Sequence, residues 1–271
     1  MDPLKLGSSG PAVTALQQAL RDHGFPPGAI DGDFGPGTAA AVVAFQRSEG
    51  LVADGIVGSR TAVALGLAAA PSTPSVLPAV TVEIVTQMFP GTPSRNIAAN
   101  LPFVLTALAD GQLIEKPMVL MSLATIRAET AGFVPINEQP NRFNTSPGGS
   151  PFDLYDNRKD LGNTGPPDGS TFRGRGFIQL TGRRNYDVHG RAIGVPALVD
   201  TPERANEPDL AARLLASFLA ASETQIQHAL AADDLQAARR LVNGGSHGVD
   251  VFIETYRIGQ RLIPETLTAA V

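Results

Sequence analysis

From Met118 to Ile126 the chain reads MVLMSLATI, with Met118, Val119, Leu120, Met121, Leu123, Ala124 and Ile126 apolar and no Gly or Pro among them. A surface helix shows a polar face and this run has none, so it predicts a helix enclosed on most sides by a substantial core. Gly132 and Pro135 are expected to stop it. Glu129 then falls at or near the C-terminal end, beside Ala128, Ala131 and Phe133. Burial and the negative end of the helix dipole both disfavour a carboxylate, so the reading expects a raised pKa there, as suits an acid that keeps its proton near neutral pH. Nine residues on, in a segment broken by Pro135 and Pro140, stands Glu138. One carboxyl in an apolar pocket and one on a polar loop are the minimum equipment for cleaving a glycosidic bond. A Glu ending a helix is also an ordinary solvated residue, and these residues alone leave both readings open.

With 271 residues, 43% of them hydrophobic and 17% charged, the chain has room for two domains and belongs to the globular class. The net charge of −5 excludes a protein that coats nucleic acid through general basicity. There is no cysteine, hence no disulfide framework and no thiol nucleophile. The N-terminal MDPLKLGSSG lacks the apolar stretch of a signal peptide, and no long apolar run suggests membrane insertion. The expectation is synthesis in a reducing cytoplasm, from which something other than a signal peptide must release the protein if it acts outside. His23, His189, His228 and His247 show no metal-ligand spacing and are read as surface or satisfied structural residues.

Residues 4–67 hold a repeat. Asp31-Gly-Asp-Phe-Gly-Pro-Gly-Thr-Ala returns as Asp54-Gly-Ile-Val-Gly-Ser-Arg-Thr-Ala, giving DGxxGxxTA twice. Each Asp-Gly predicts a tight turn, and Pro36 and Ser59 follow as helix starts. Apolar faces at Val13, Leu16 and Leu20, at Ala41, Val42 and Phe45, and at Ala62 and Leu65 predict three short helices closing one core, with Gly24 and Gly66 as C-terminal caps. No acid–base pair or ligand cluster occurs here, so binding rather than chemistry is expected. The segments GSSGPAVTALQQAL, GAIDGDFGPGTAAAVVAFQ and LVADGIVGSRTAVAL resemble the peptidoglycan-binding domain carried by many cell-wall hydrolases. That resemblance implies docking to the bacterial wall. Residues 67–80 (LAAAPSTPSVLPAV) are uncharged, with three prolines in eight residues, and read as a semi-rigid linker.

From Thr81 onward helices are predicted over 81–89, 96–110, 116–130, 207–231, 233–243 and 249–262. Between Pro140 and Thr171, 24 of 32 residues are Gly, Pro, Asn, Asp, Ser or Thr, a long irregular connection of the kind that carries function. The motif FRGRGFIQLTGRRNY (Phe172–Tyr186) follows. Phe177, Ile178 and Leu180 can pin it to a core, while Gln179, Thr181 and Asn185 alternate with them as polar groups facing a cleft. Read with YDNRKDLGNTGPPDG, TVEIVTQMFPG, ETAGFVPINE and LVNGG, the motif resembles glycoside hydrolase family 19, in its phage endolysin and lysozyme branch.

The resemblance covers residues 81–262, and what it implies goes beyond the residues alone. Glu129 matches the general acid, Glu138 the second carboxylate, and Thr181 the Ser/Thr position that helps hold the catalytic water. Gln179, Asn185 and Asn243 match cleft-lining polar positions; Arg175 and Tyr186 of the same motif are taken as substrate-binding too. The family usually has His before the acid, where this chain has Ala128 followed, after the acid, by Thr130-Ala131. The expected architecture is mainly α: a three-helix peptidoglycan-binding domain (1–66), a linker (67–80) and an α-rich, lysozyme-like catalytic domain (81–271). The implied partner is the peptidoglycan glycan strand, acted on by a monomer without metal or cofactor. The alternatives are a chitinase of the same family, a secreted antibacterial effector, or a wall-binding protein whose catalysis has decayed. The five arginines at 173, 175, 183, 184 and 191 are either a solvated face with structural ion pairs or a lure for peptide-stem carboxylates.

Overall fold

The structure, a computed structural model, describes residues 3–68, 75–243 and 248–265, the side chains of 59 and 243 excepted. It is mainly α-helical. Helices α1 (Pro11–Asp22), α2 (Pro36–Ser48) and α3 (Ser59–Ala64) come first. There follow α4 (Val82–Met88), α5 (Ser94–Asp110), α6 (Lys116–Thr130), α7 (Asp168–Thr171), α8 (Arg183–Ala192), α9 (Pro208–Ala221), α10 (Glu223–Ala231), α11 (Leu235–Asn243) and α12 (Val249–Leu262). Strands β1 (Ile136–Asn137) and β2 (Arg175–Gly176) form a single antiparallel ribbon. Among the described residues no helix is long and apolar enough to cross a membrane.

Helices α1–α3 close a core of their own around Val13, Leu16, Leu20, Val42, Phe45 and Leu65. Gly24 and Gly66 follow α1 and α3 with positive φ (84° and 70°), as the capping argument requires. The repeat has a physical basis that the motif alone did not reveal. Buried Gln17 donates through Nε2 to Asp31 Oδ1 (2.9 Å), the Asp33 carbonyl (3.0 Å) and Thr38 Oγ1 (3.2 Å), and its Oε1 accepts from the Gly32 N–H (2.9 Å). Buried Gln46 does the same with Asp54 (3.0 Å), the Ile56 carbonyl (2.8 Å), Thr61 (3.2 Å) and the Gly55 N–H (2.9 Å). Each DGxxGxxTA turn is thus wrapped around one glutamine from the preceding helix, so the side-chain amide is satisfied inside the core.

The second core gathers around α6, where every residue from Met118 to Ile126 is buried. It packs against α12, α10 and α9. The chain leaving α6 is pinned as well: Thr92 Oγ1 and Arg127 donate to the Ala131 carbonyl, and Asn96 to that of Gly132.

Two expectations need correction. Residues 69–74 of the expected linker lie outside the described residues, but 75–80 belong to the second core. Val76 is 1% and Val80 4% exposed, and the Val76 N–H donates to the Ile114 carbonyl (3.0 Å). Composition grouped these valines with the surrounding Pro and Ala, whereas their i, i+4 spacing lets both face inward across the 3-10 turn Leu77–Ala79. The single helix expected over 207–231 is two, broken at Ser222, with neither Gly nor Pro to signal it. The break sends Glu223 towards the first module, where Arg60 Nε pairs with Glu223 Oε2 at 3.0 Å and Arg60 also donates to the Gly111 carbonyl. The two cores are therefore in contact across a cleft of about 390 Å³.

His189, on α8, is 5% exposed, hydrogen-bonded to Ser217 Oγ (3.0 Å) and stacked on Phe218. Burial pushes its pKa from 6.5 down to about 4. Between those values the unfolded chain binds a proton that the folded chain refuses, so stability is intact above about pH 6.5 and is lost as the pH falls towards 4. The loss reaches roughly 2–3 kcal/mol at pH 4.5. Urea unfolding at pH 7.5 and 4.5 should show His189→Gln losing less stability over this interval than the parent, by about that amount; equal losses would contradict it.

Candidate active site

Glu129 is on the last turn of α6, with its side chain 14% exposed. The pocket is not apolar throughout, as the sequence reading supposed. Arg239 of α11, wholly buried, donates from Nη2 to Glu129 Oε1 at 2.7 Å and lies over the Phe252 ring. Arg239 was missed, yet a signal existed. Leu235, Ala238, Arg239 and Val242 occupy i, i+3, i+4 and i+7, so a charge stands on the apolar face of α11. A buried guanidinium needs hydrogen-bond acceptors, and Glu129 Oε1 supplies one.

Glu138 directly follows β1 rather than sitting on a free loop. Its N–H donates to the Gly174 carbonyl (2.8 Å), extending the ribbon in which Ile136 pairs with Gly176 and Asn137 with Arg175. Its carboxylate is held by three neutral donors. Asn144 Nδ2 and the Tyr155 hydroxyl reach Oε1 at 2.9 Å each, and the Gly174 N–H reaches Oε2 at 3.0 Å. Oε2 keeps a lone pair for a further proton donor such as water. Burial and the neighbouring Glu138 charge push the Tyr155 phenol upward, so it remains a donor throughout the neutral range. Asn144 and Tyr155 belong to the irregular 140–171 stretch, whose composition announced function without saying which side chains turn inward.

The FRGRGFIQLTGRRNY motif meets this carboxylate at Gly174. A Cβ there would stand 3.0 Å from Glu138 Oε2 and 3.0 Å from Gln179 Oε1, so any larger residue would press on both side chains. Gln179 adopts φ +52° and donates to the Ile136 (3.1 Å) and Gly176 (3.2 Å) carbonyls, beside Glu138. Thr181 Oγ1 donates to the Gln179 carbonyl (2.8 Å), which leaves its oxygen lone pairs free to accept from water. Asn185 Nδ2 is bonded to the Thr181 carbonyl (2.8 Å). Phe177 packs at 6.0 Å on Phe133, which lies between Glu129 and Glu138 in sequence, and so ties the motif to the segment bearing both carboxyls.

Two residues expected to bind substrate are placed otherwise. Arg175 (3% exposed) and Tyr186 (0%) are buried beneath the motif: Arg175 donates to the Tyr186 hydroxyl (2.9 Å), which donates to the Arg173 carbonyl (2.9 Å). Burial pushes the Tyr186 phenol up to about 12. They prop the loop from below, because a Gly-rich segment has no side chains of its own to stiffen it. The expectation for Asn243 falls on a side chain outside the described residues.

Comparison with known proteins adds two findings. Residues 9–65 match the family described as "Putative peptidoglycan binding domain". The zinc D-Ala-D-Ala carboxypeptidase of Streptomyces albus G is 53% identical over 62 residues, 21% of this chain and 24% of that protein. A glycosyl hydrolase family 19 domain-containing protein of Haemophilus influenzae is 28% identical over 104 residues, 38% of this chain and 48% of that one. The chain thus spans half or less of these curated relatives. Chitinase C of Streptomyces griseus HUT6037 superposes with TM-score 0.47 at 19% identity, over 70% of this chain and 79% of that one, too loosely to transfer residue roles. The chain is modular: residues 9–65 match the peptidoglycan-binding domain family, and the chain also carries glycosyl hydrolase family 19 similarity.

Proposed function

We propose that the chain hydrolyses the β-1,4 bonds of bacterial peptidoglycan between N-acetylmuramic acid and N-acetylglucosamine, inverting the anomeric centre. The observation that carries this reading is the unlike support of two carboxyls: Glu138 fixed by three neutral donors, and Glu129 facing a buried guanidinium. Protonated Glu129 gives its proton to the leaving glycosidic oxygen. The carboxylate charge it acquires then meets Arg239, already 2.7 Å away, so no reorganisation is needed as charge develops. On the other face, Glu138 takes a proton from water as that water attacks the anomeric carbon, and the Thr181 oxygen accepts the water's other hydrogen. Residues 9–65 hold the chain at the wall, the place of action, and raise the local concentration of glycan.

Mass analysis of soluble products from purified peptidoglycan tests the bond assignment. Hydrolysed fragments with N-acetylmuramic acid at the reducing end are expected; anhydro ends or N-acetylglucosamine ends would overturn it. Glu129→Gln should abolish release and keep wall binding. Glu138→Gln should be severely impaired, with azide restoring part of the turnover. Thr181→Ala should lose about one to three orders of magnitude and Thr181→Ser little; equal losses would assign Thr181 to packing. Arg239→Leu should lower kcat by about 100-fold with KM little changed, and destabilise the fold by about 3 kcal/mol, with Arg239→Lys intermediate in both. Full activity in Arg239→Leu would remove Arg239 from the mechanism.

A further inference from the structure

Arginines flank in sequence the residues that hold the second carboxylate, and none of them is in ion-pair contact with an acid among the described residues. Gly174, whose N–H holds Glu138, is flanked by Arg173 and Arg175, and Arg142 stands two residues before Asn144. Among the described residues no carboxylate lies within ion-pair distance of any of the three, whereas Arg158, Arg183, Arg191 and Arg204 each have an acidic partner. Glu138 spends its contacts on neutral donors. A chain of net charge −5 thus carries three arginines without a described carboxylate in ion-pair contact on the segments that supply the Glu138 donors.

Arg173 is the one of these placed to meet a ligand. Unlike buried Arg175 it is half-buried, and it is held in place. Nη1 donates to the Ser170 carbonyl (2.7 Å), the guanidinium stacks over the Phe152 ring (5.8 Å), and its own carbonyl is held by the Tyr186 hydroxyl, which Arg175 supports from below. Its Nε and Nη2 edge donates to no described residue, and that edge is the planar fork that fits a carboxylate. Burial and the nearby Arg175 charge push Arg173 below the ordinary arginine value, the mark of a cation stripped of water and set beside another cation. Tyr186, expected as a sugar contact, has its place in this arrangement as a prop for Arg173.

We infer that Arg173 is a specificity-determining residue that receives a carboxylate of the substrate next to the bond being cut. Resting on the proposed hydrolysis, the inference adds a choice of glycan. Every second sugar of peptidoglycan bears a lactyl ether whose carboxyl is free or extended by a peptide with carboxylates of its own; chitin bears none. The positive charge favours the acidic glycan, and since the proton Glu138 takes from water matches the one Glu129 gives up, the net charge of the site is unchanged and the attraction persists through the reaction.

The test reads binding on the full chain made inert by Glu129→Gln. Two tetrasaccharides are titrated at low salt: the alternating wall glycan with free lactyl carboxylates, and the N-acetylglucosamine tetramer. The wall glycan is expected to bind at least about tenfold more tightly, the preference shrinking with added salt. Adding Arg173→Gln should bring the two within about twofold by weakening only the acidic glycan, while Arg173→Lys keeps most of the preference. Exposed Arg142→Gln, which puts no buried contact at risk, should reduce the salt dependence in a chain of unchanged melting temperature. Equal binding of the two glycans by the parent, or an equal loss for both in Arg173→Gln, would overturn the inference. A third arm with a peptide-bearing glycan tells stem carboxylates from the lactyl group. Because binding is read on an inert chain, failure of the active chain to cleave either glycan contradicts the proposed hydrolysis and leaves this comparison standing.

Discussion

A helix without a polar face has to be enclosed, and the enclosure of α6 governs the second module. α12, α10 and α9 pack around it, and the side chains from Met118 to Ile126 are all removed from water. Such a helix cannot slide or rotate without opening the core, so the residue on its last turn is placed with the precision of the core itself. That residue is Glu129. Its charge partner Arg239 is equally fixed, since α11 buries Arg239 among Leu235, Ala238 and Val242. The carboxyl proposed as the acid is thus set by packing and faces a guanidinium that packing also holds.

Glu138 is placed by different means. A two-residue ribbon is marginal alone. Here it gains the Glu138–Gly174 backbone bond, the Gln179 amide on the Ile136 carbonyl, and Asn206, which accepts from the Gly176 N–H and donates to Asn137 Oδ1. Backbone and neutral side-chain hydrogen bonds fix the position without adding a cation in contact. The two carboxyls differ in the elements that carry them, the groups that touch them and the charge nearby, the asymmetry that acid–base division of labour needs.

Much of this was legible in the sequence where one physical rule dominates. The apolar run predicted α6, the Asp-Gly turns and apolar spacings predicted α1–α3, and the pairing of Glu138 with the Gly-rich segment was implied by the family resemblance alone. What remained hidden depended on tertiary partners. Gln17 and Gln46 sit on ordinary amphipathic helices, and only the returning turn shows why each must be Gln. Arg175 and Tyr186 looked like ligand-facing groups because motifs do not report depth. Ser222 breaks α9 from α10 without a breaker residue, and Val76 and Val80 were masked by the composition around them. Arg239 could have been found, since a charge in phase with Leu235 and Val242 calls for a buried partner.

The central claim is that water attacks, with Glu138 as base, on the face opposite the oxygen protonated by Glu129. Stereochemistry reports on this more directly than any loss of activity. Proton NMR of a β-linked wall glycan during the first minutes of cleavage, before mutarotation, should show the α-anomer of the new reducing end. The β-anomer appearing first would contradict the account, because it would require a covalent or substrate-assisted intermediate in place of direct attack by water.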